Sequence, residues 1–364
     1  MMDGVIPLAR PWLGHEENEA CQRVLSSCRL SGGPEISRFE KKLADECNRT
    51  FGVTTSNGTT ALELSFQALG VEPKAKVLVT AFGFPSAANA LRKMGAIPVP
   101  VDIEESTWCT DFKLATKLAS GAIGLVSIDP LGLANSKKNI DDFAKRTGLW
   151  VVSDAACSLG GIDETGAKAG QAGVLSTLSF HPRKNITTGE GGAIVTDDSL
   201  LAERIRRNRN HGQSEPGVLS EFATNARLSA ISAAIGSVQL ERLPESVETK
   251  NLLAKGYVER LDKLIANEKI VLQKTPVGAK HTYQSFALRL ADGIDRKKVV
   301  ASLKEKGIES GASTYAFSEI ELHQCKGSAP LAKRLHSSSL SLPMYAGMRS
   351  NQLDAVVGAL EGIL

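Results

Sequence analysis

The chain contains the stretch Ser179-Phe180-His181-Pro182-Arg183-Lys184-Asn185-Ile186-Thr187-Thr188-Gly189-Glu190-Gly191-Gly192. Apolar runs flank it, Val174 to Phe180 before it and Ala193 to Thr196 after it, and both runs predict strands. The glycines after Lys184 allow the backbone to turn sharply or to approach another group closely. A lysine held on such a connection suggests amine chemistry. By itself, however, the segment favours a surface hairpin with a solvated lysine, because single motifs often match by chance.

Upstream of this stretch, short apolar runs rich in β-branched residues alternate with helical patterns. Strands are predicted at 76–81, 97–101, 122–128 and 149–153, and helices at 15–25, 36–48, 85–94, 112–119 and 140–147. The alternation predicts an α/β fold whose parallel sheet is covered by helices on both faces. Ligands bind such sheets beyond the carboxyl ends of the strands, and Asp154 follows one of these strands directly.

Downstream, the pattern changes near Pro244. Helices are predicted at 199–209 and 231–243, and after them a helix to 265, a strand at 284–290, and helices at 295–306 and 352–364. We therefore expect a large domain over residues 1–243, which includes an N-terminal arm, and a smaller C-terminal α+β domain over residues 244–364.

The composition excludes several classes of protein. The 364 residues are 42% hydrophobic and 23% charged, which is typical of a soluble globular protein. A net charge of +3 is too small to indicate a nucleic-acid-binding protein. The six cysteines form no CxxC pair, which indicates free thiols in a reducing compartment and argues against a metal cluster. The first residues lack a signal-peptide pattern, and no apolar run is long enough to span a bilayer. We expect a cytoplasmic protein.

Two further segments bear on function. Ser56-Asn57-Gly58-Thr59-Thr60 stands at a predicted helix start, where unpaired N–H groups can cradle a phosphate; capping of the helix by Ser56 or Asn57 explains the same residues equally well. Asp154 either caps a turn or faces a cation, because a carboxylate at the end of a buried strand needs a partner. A phosphate cradle, a carboxylate for a cationic ring nitrogen and a lysine that can form an imine are together what pyridoxal phosphate requires.

Nearly the whole chain resembles the DegT/DnrJ/EryC1/StrS family of pyridoxal-phosphate-dependent sugar aminotransferases. The matching blocks are Ile6-Pro7, Arg10-Pro11, Gly33-Pro34-Glu35, Phe39-Glu40, Ser56-Asn57-Gly58-Thr59, Gly95-Ala96, Val101-Asp102, Asp154-Ala155-Ala156, Ser179 through Lys184, Thr188 through Gly192, Asn225 with Arg227, and Leu340 through Met344. The resemblance implies the aspartate aminotransferase fold (fold type I), with a mostly parallel seven-stranded sheet in the large domain.

The same resemblance implies roles for individual residues. Lys184 forms the internal aldimine and shuttles a proton, and Asp154 keeps the pyridine nitrogen protonated. Gly58, Thr59 and Ser179 hold the phosphate. Phe84 matches the aromatic residue that stacks on the ring, with Phe82 as a competing assignment. Asn225 matches an asparagine that reaches the phosphate from a neighbouring subunit, which implies a homodimer with shared sites.

This sequence also departs from the family pattern. Cys157 stands near the cofactor's phenolic oxygen, where the family usually has glutamine or histidine, and a thiol is a weaker hydrogen-bond partner. The segment Asp129-Pro130-Leu131-Gly132 replaces a more polar one. Candidate contacts for the sugar nucleotide are His181, Arg183, Tyr283, Gln284, Tyr315 and His323, although a packing role is the more ordinary interpretation of His181.

The resemblance implies a ping-pong reaction. L-glutamate converts the cofactor to pyridoxamine phosphate, which then aminates a keto group of a nucleotide-linked deoxysugar, such as a dTDP-sugar, for a surface polysaccharide (lipopolysaccharide O-antigen) or another glycosylated product. The alternative is a non-catalytic regulator or scaffold that binds the cofactor or a nucleotide. The related dehydratases replace the lysine, and Lys184 is present here.

Overall fold

The computed structural model describes residues 4–323, 325 and 327–364. Met1–Asp3, part of the stretch that lacks a signal-peptide pattern, lie outside the described residues. Within the described ranges, no helix is both long enough and apolar enough to cross a membrane.

A seven-stranded sheet forms the centre of the larger part of the molecule. Its strands are β1 (Phe51–Thr55), β2 (Lys76–Thr80), β3 (Ile97–Val101), β4 (Ala122–Ile128), β5 (Trp150–Asp154), β6 (Leu175–Ser179) and β7 (Gly192–Thr196). They lie in the order β1-β7-β6-β5-β4-β2-β3, and only β7 runs antiparallel to its neighbours. The expected α/β fold with a mostly parallel seven-stranded sheet is confirmed.

Helices cover both faces of this sheet. They are α1 (His15–Ser27), α2 (Pro34–Glu46), α3 (Gly58–Ala68), α4 (Ser86–Lys93), α5 (Phe112–Leu118), α6 (Lys137–Thr147) and α7 (Ser199–Asn208). Side chains alternate between the faces along β2, so Val77 and Val79 pack into one apolar cluster while Leu78 packs into another. Burial on both faces explains why the strands appear in the sequence as continuous apolar runs.

The long helix α8 (Ala230–Arg260) continues through Pro244, so the predicted helix end at Leu243 is wrong. Proline removes one backbone hydrogen bond, yet the neighbouring side chains of Leu243 and Val247 are buried in a common cluster. Tertiary packing therefore holds the helix together across the proline. Toward its C-terminal end, α8 buries Ala254 and Tyr257 in a different cluster. The division into a large and a small domain at residue 243 stays a prediction.

The C-terminal layer has an antiparallel sheet of β10 (Ile270–Leu272), β11 (Phe286–Leu290) and β12 (Ser339–Leu342), in that order. Its helices are α9 (Asp262–Ala266), α10 (Arg296–Glu305), α11 (Pro330–Ser338) and α12 (Ser350–Glu361), and a small hairpin, β8 (Gln213–Glu215) and β9 (Val218–Leu219), lies before α8. The helices predicted from 295 and 352 and the strand ending at Leu290 are confirmed, whereas β10, β12 and α11 were not predicted. Ile6 of the N-terminal arm packs into this layer's core and its N–H donates to the Gly307 carbonyl at 2.8 Å.

Candidate active site

Asp154 ends β5, which lies between β4 and β6 in the sheet. The residue is 8% exposed, and its Oδ1 accepts hydrogen bonds from the Ala156 N–H and the Thr177 hydroxyl, each at 3.2 Å. Burial raises the pKa of Asp154, and the positive charge of Lys184 opposes that rise. Among the described residues no ion pair reaches this carboxylate, so the end of β5 presents a buried acceptor to a cation.

Lys184 lies in the connection between the antiparallel strands β6 and β7. The Phe180 N–H donates to the Gly191 carbonyl at 2.8 Å, and the Thr188 N–H donates to the Phe180 carbonyl at 3.0 Å, so the base of this loop is closed. The backbone is therefore a hairpin, but the lysine is not simply solvated. Its side chain is half-buried, and Nζ lies 3.1 Å from Sγ of Cys157.

The N-terminus of α3 lies next to the ends of β6 and β7. Oδ1 of Asn57 accepts a hydrogen bond from the Thr60 N–H at 2.8 Å, which confirms Asn57 as the helix cap. Capping does not exclude a cradle, because Gly58 and Thr59 also contribute first-turn N–H groups. Both interpretations of this segment are thus compatible.

Two glycines permit this close approach. A Cβ built on Gly58 would lie 2.9 Å from Cβ of Ser179, and one built on Gly192 would lie 2.5 Å from the Asn57 carbonyl carbon and 2.7 Å from the Gly58 nitrogen. Any side chain at either position would fill the space between the helix terminus and the Ser179 hydroxyl. The predicted phosphate-binding residues Gly58, Thr59 and Ser179 are therefore brought together around a small cradle.

Asn185, the residue after Lys184, is the centre of a buried hydrogen-bond network that sequence reasoning missed. Its Nδ2 lies 2.9 Å from the Leu159 carbonyl, 2.9 Å from Oγ1 of Thr282 and 3.2 Å from the Cys157 carbonyl. Its Oδ1 accepts from Nζ of Lys250 at 2.7 Å. A signal for Lys250 was present, because it stands at a buried position within the helical series Leu243, Val247, Ala254 and Tyr257.

Asp129, in the segment that departs from the family pattern, is also buried. Its carboxylate accepts from the Asn135 N–H at 2.8 Å, from Nδ2 of Asn135 at 2.9 Å, and from the Ser158 hydroxyl. Burial raises the pKa of Asp129 to about 7. Its own N–H donates to the Asp154 carbonyl at 3.0 Å, so this network braces the backbone at the end of β5.

The two aromatic candidates for ring stacking have different surroundings. Phe82 is fully buried and packs edge-on to Trp108, with 6.3 Å between ring centroids. Phe84 is 62% exposed, and its ring lies 5.7 Å from that of Tyr315. Only Phe84 has an open face for a ligand, which favours it over Phe82, and Tyr315 lies beside it.

The remaining substrate candidates are dispersed. Arg183 and His181 are exposed on the lysine loop, and partial burial lowers the pKa of His181. Gln284 joins this loop, since its Nε2 donates to the Arg183 carbonyl at 2.7 Å. Tyr283 instead stacks on His281, with 4.1 Å between centroids, and packs against the C-terminal core.

His323 does not offer its ring to a ligand in this arrangement. It is 2% exposed and packs edge-on to Phe317, and burial together with the charge of Arg92 lowers its pKa. His323 was one of the candidate contacts for the sugar nucleotide, and its packing gives no support for such a contact.

Asn225 lies on an exposed segment between β9 and α8. The neighbouring Ala226 carbonyl accepts a hydrogen bond from the Ser56 N–H at 2.9 Å, so this segment passes close to the start of α3 in the same chain. Three positions before Asn225, Phe222 is entirely exposed. Together with the exposed Val218 and Leu219 of the preceding hairpin, it gives this segment an exposed apolar surface.

The arrangement can hold pyridoxal phosphate. The helix terminus and Ser179 suit a phosphate dianion, the buried Asp154 suits a protonated ring nitrogen, and Lys184 supplies an amine within reach of both elements. Among the described residues, no group of three or more histidine, cysteine, aspartate or glutamate side chains could hold a metal ion.

Comparison with known proteins agrees with this arrangement. The sequence profile of the DegT/DnrJ/EryC1/StrS aminotransferase family matches residues 11–361. The chain is 30% identical over 368 residues to a GDP-perosamine synthase from Caulobacter vibrioides, covering 99% of this chain and 98% of that protein. It is also 30% identical over 345 residues to a pleiotropic regulatory protein from Geobacillus stearothermophilus, covering 92% and 90%. The crystal structure of S. venezuelae DesV in complex with a ketimine intermediate matches with a TM-score of 0.90 over 98% of each chain, at 28% identity.

Proposed function

The chain belongs to the DegT/DnrJ/EryC1/StrS aminotransferase family, whose members depend on pyridoxal phosphate. We propose that it transfers an amino group from L-glutamate to a keto group of a nucleotide-linked deoxysugar. The two half-reactions occur in turn at one site. The product is an amino sugar for a surface polysaccharide, such as an O-antigen, or another glycosylated product, made in the cytoplasm.

The observation that carries this proposal is the meeting of three elements at one edge of the sheet. The α3 terminus with Ser179, the buried Asp154 and the half-buried Lys184 come from separate parts of the sequence and converge there. Pyridoxal phosphate, when bound, supplies an electron sink for chemistry at an amine-bearing carbon.

The chain's own residues divide the remaining work. The N–H groups of Gly58 and Thr59 and the Ser179 hydroxyl bind the phosphate, and Asp154 holds a proton at the ring nitrogen. Nζ of Lys184 accepts and returns the proton at the amine-bearing carbon of the substrate, as a general base and acid. Phe84 would stack on the ring, and the Cys157 thiol contacts the lysine amine.

His181 and Arg183 are exposed on the lysine loop, and Tyr315 is exposed beside the open face of Phe84, so these three side chains suit the sugar nucleotide best. A guanidinium such as that of Arg183 favours a diphosphate. The relative from Caulobacter vibrioides is named for a GDP-sugar product, and the present chain is to be tested with GDP-, dTDP- and UDP-linked keto sugars.

The test follows each half-reaction separately. Purified protein loaded with pyridoxal phosphate is expected to show a visible absorbance band that L-glutamate bleaches and that D-glutamate, the matched control, does not. Addition of the accepted keto sugar restores the band. If every sugar leaves the bleached protein unchanged while 2-oxoglutarate restores the band, the sugar part of the proposal is wrong and the glutamate part stands.

We further propose a homodimer in which Asn225 completes the site of the partner subunit. The exposed Phe222 and the exposed hairpin residues Val218 and Leu219 lie on the same segment as Asn225 and give it an apolar surface to bury. Such a surface supports a second copy of the chain as its partner.

Mixing two variants tests this sharing. Lys184→Ala and Asn225→Ala are each expected to be inactive alone, and unfolding and refolding them together should restore about a quarter of the wild-type activity, because half of the dimers are hybrids with one intact site. Asn225 acting within its own subunit would instead give no recovery. Light scattering reports the dimer independently.

A regulatory protein of the same fold is the second candidate. It is favoured by one observation, the 30% identity to a protein named as a pleiotropic regulator. Cofactor binding without bleaching by any amino acid would support this candidate over the enzyme.

A further inference from the structure

Lys250 is a buried lysine without an acidic partner. It is 5% exposed on α8, and its Nζ donates to Oδ1 of Asn185 at 2.7 Å. Among the described residues no carboxylate forms an ion pair with it. Burial lowers the pKa of Lys250 to about 8. Since a buried ammonium with a single neutral partner destabilises the folded state, packing alone does not explain a lysine here.

The acceptor of Lys250 adjoins the reactive lysine. Asn185 follows Lys184 directly, and its amide nitrogen shares two N–H groups among the Cys157 carbonyl, the Leu159 carbonyl and the Thr282 hydroxyl. The Cys157 side chain in turn contacts Nζ of Lys184. One amide thus connects the lysine loop, the turn after β5 and the segment before β11.

We propose that Lys250 is a positioning residue. By donating to Asn185 Oδ1, it fixes the Asn185 amide and thereby holds Lys184 and Cys157 in their relative positions at the end of β5. This inference rests on the proposed function, since it concerns the geometry of the same site. Lys250 itself touches no substrate in this account and acts only through Asn185.

The amide orientation explains why a hydrogen-bond donor is required there. With Oδ1 held by Lys250, Nδ2 must face the two carbonyls, which accept hydrogen bonds and cannot donate them. Without the Lys250 donor, Oδ1 is left unsatisfied and the amide loses the bond that fixes its rotation. The turn at Cys157 and Leu159 then loses its connection to the lysine loop.

The central experiment compares Lys250→Met with Lys255→Met. Both lysines are on α8, but Lys255 is exposed and pairs with Glu259 at 3.9 Å, so it is the matched control. Lys250→Met is expected to lower kcat by roughly tenfold or more, because small displacements of reacting groups cost rate, while KM for both substrates changes less than twofold. The visible band of the bound cofactor should weaken, and Tm should change little, because removal of the buried charge offsets the cost of the unsatisfied Asn185 Oδ1. Lys255→Met should change none of these.

Rescue and coupling distinguish positioning from packing. Lys250→Arg keeps a cationic donor for Asn185 Oδ1, so it should recover part of kcat. Asn185→Ala should reproduce the loss, and the double variant Lys250→Met/Asn185→Ala should be no worse than either single variant, because both break one connection.

Several results would overturn the inference. They are a kcat for Lys250→Met within twofold of wild type, a parallel fall of kcat and Tm, a failure of this variant to fold, or additive losses in the double variant. Failure of the proposed function is recognised separately, because the wild-type protein would then show no glutamate-sensitive band at all.

Discussion

The surroundings of Lys184 and Lys250 differ although both lysines adjoin Asn185, one through the chain and the other through a hydrogen bond. Lys184 is half-buried on a loop, faces the Cys157 thiol at 3.1 Å and lies close enough to Asp154 to oppose the rise in the pKa of that carboxyl. Lys250 is buried in the middle of α8 with a neutral amide as its hydrogen-bond partner, and burial lowers its pKa to about 8.

The difference separates two requirements for a reactive lysine. Burial makes an amine easier to deprotonate, and Lys250 meets that requirement. Reaction also needs an open approach and complementary groups for the other reactant, and these occur only at Lys184, beside the α3 terminus and the buried Asp154. A lowered pKa alone would point to Lys250, whereas the surrounding geometry supports our proposal that Lys184 is the reactive lysine.

The largest expected effect comes from Lys184→Ala. Removal of the amine should lower the transamination rate at least a hundredfold, because general acid–base catalysis is lost, and should leave the free energy of unfolding nearly unchanged. Turnover of glutamate and keto sugar is measured beside chemical denaturation. Transfer at the wild-type rate would show that the two lysines have been assigned the wrong roles.

Asp129→Asn extends the comparison to a buried acid. The pKa of Asp129 is about 7 in the folded state and 3.8 in the unfolded state. The protonated carboxyl therefore contributes its full stability to the fold below pH 3.8, and this contribution is lost as pH rises through 7. At pH 8 the amide variant should be more stable than wild type by up to roughly 4 kcal/mol, and the difference should shrink toward pH 5. Urea unfolding at pH 5 and pH 8 checks this, and equal stability differences at both values would contradict it.

Lys250→Met should show the opposite pH dependence. Between pH 8 and the ordinary lysine pKa of 10.5, the unfolded wild-type chain binds a proton that the folded chain does not, so wild-type stability contributed by this group rises with pH. The stability of the variant relative to wild type should therefore be highest near pH 7 and should fall by up to roughly 3 kcal/mol toward pH 10. The exposed Lys255→Met serves as control in the same denaturation series. A stability difference between variant and wild type that does not change with pH would show that burial does not lower the pKa of Lys250.

Cys157→Ser is expected to have the smallest effect. A hydroxyl keeps a donor and acceptor opposite Nζ of Lys184, so kcat should change by less than about threefold. Steady-state kinetics and the visible band measure this. A much larger loss would show that the sulfur itself contributes to the reaction and that the contact with Lys184 is more than steric.

The sequence predicted the sheet well because its strands are buried on both faces. Lys76–Thr80 and Ala122–Ile128 are continuous apolar runs whose pattern does not depend on a distant partner. Ser339–Leu342 could not be predicted in this way, since its pairing with β11 is fixed only in the folded chain. Pro244 led to a wrong helix end because a local rule was overridden by packing around Leu243 and Val247.

The residues of the site likewise fall into two groups, those with a local sequence signal and those without one. Lys184, Asp154 and Gly58 stand in local patterns with a chemical meaning, so their convergence at one edge of the sheet could be predicted. The contact of Lys184 with Cys157 spans 27 positions and that of Lys250 with Asn185 spans 65, and nothing in the sequence pairs them. The lysine at an apolar position of α8 was the only sign of the second contact.

Reductive trapping shows which lysine forms the covalent bond to the cofactor. Wild-type protein loaded with pyridoxal phosphate is treated with borohydride, digested and analysed by peptide mass spectrometry. We predict a phosphopyridoxyl group on Lys184 and none on Lys250, with no label in the Lys184→Ala variant. A label on Lys250, or a labelled Lys184→Ala protein, would contradict the assignment of Lys184 as the reactive amine.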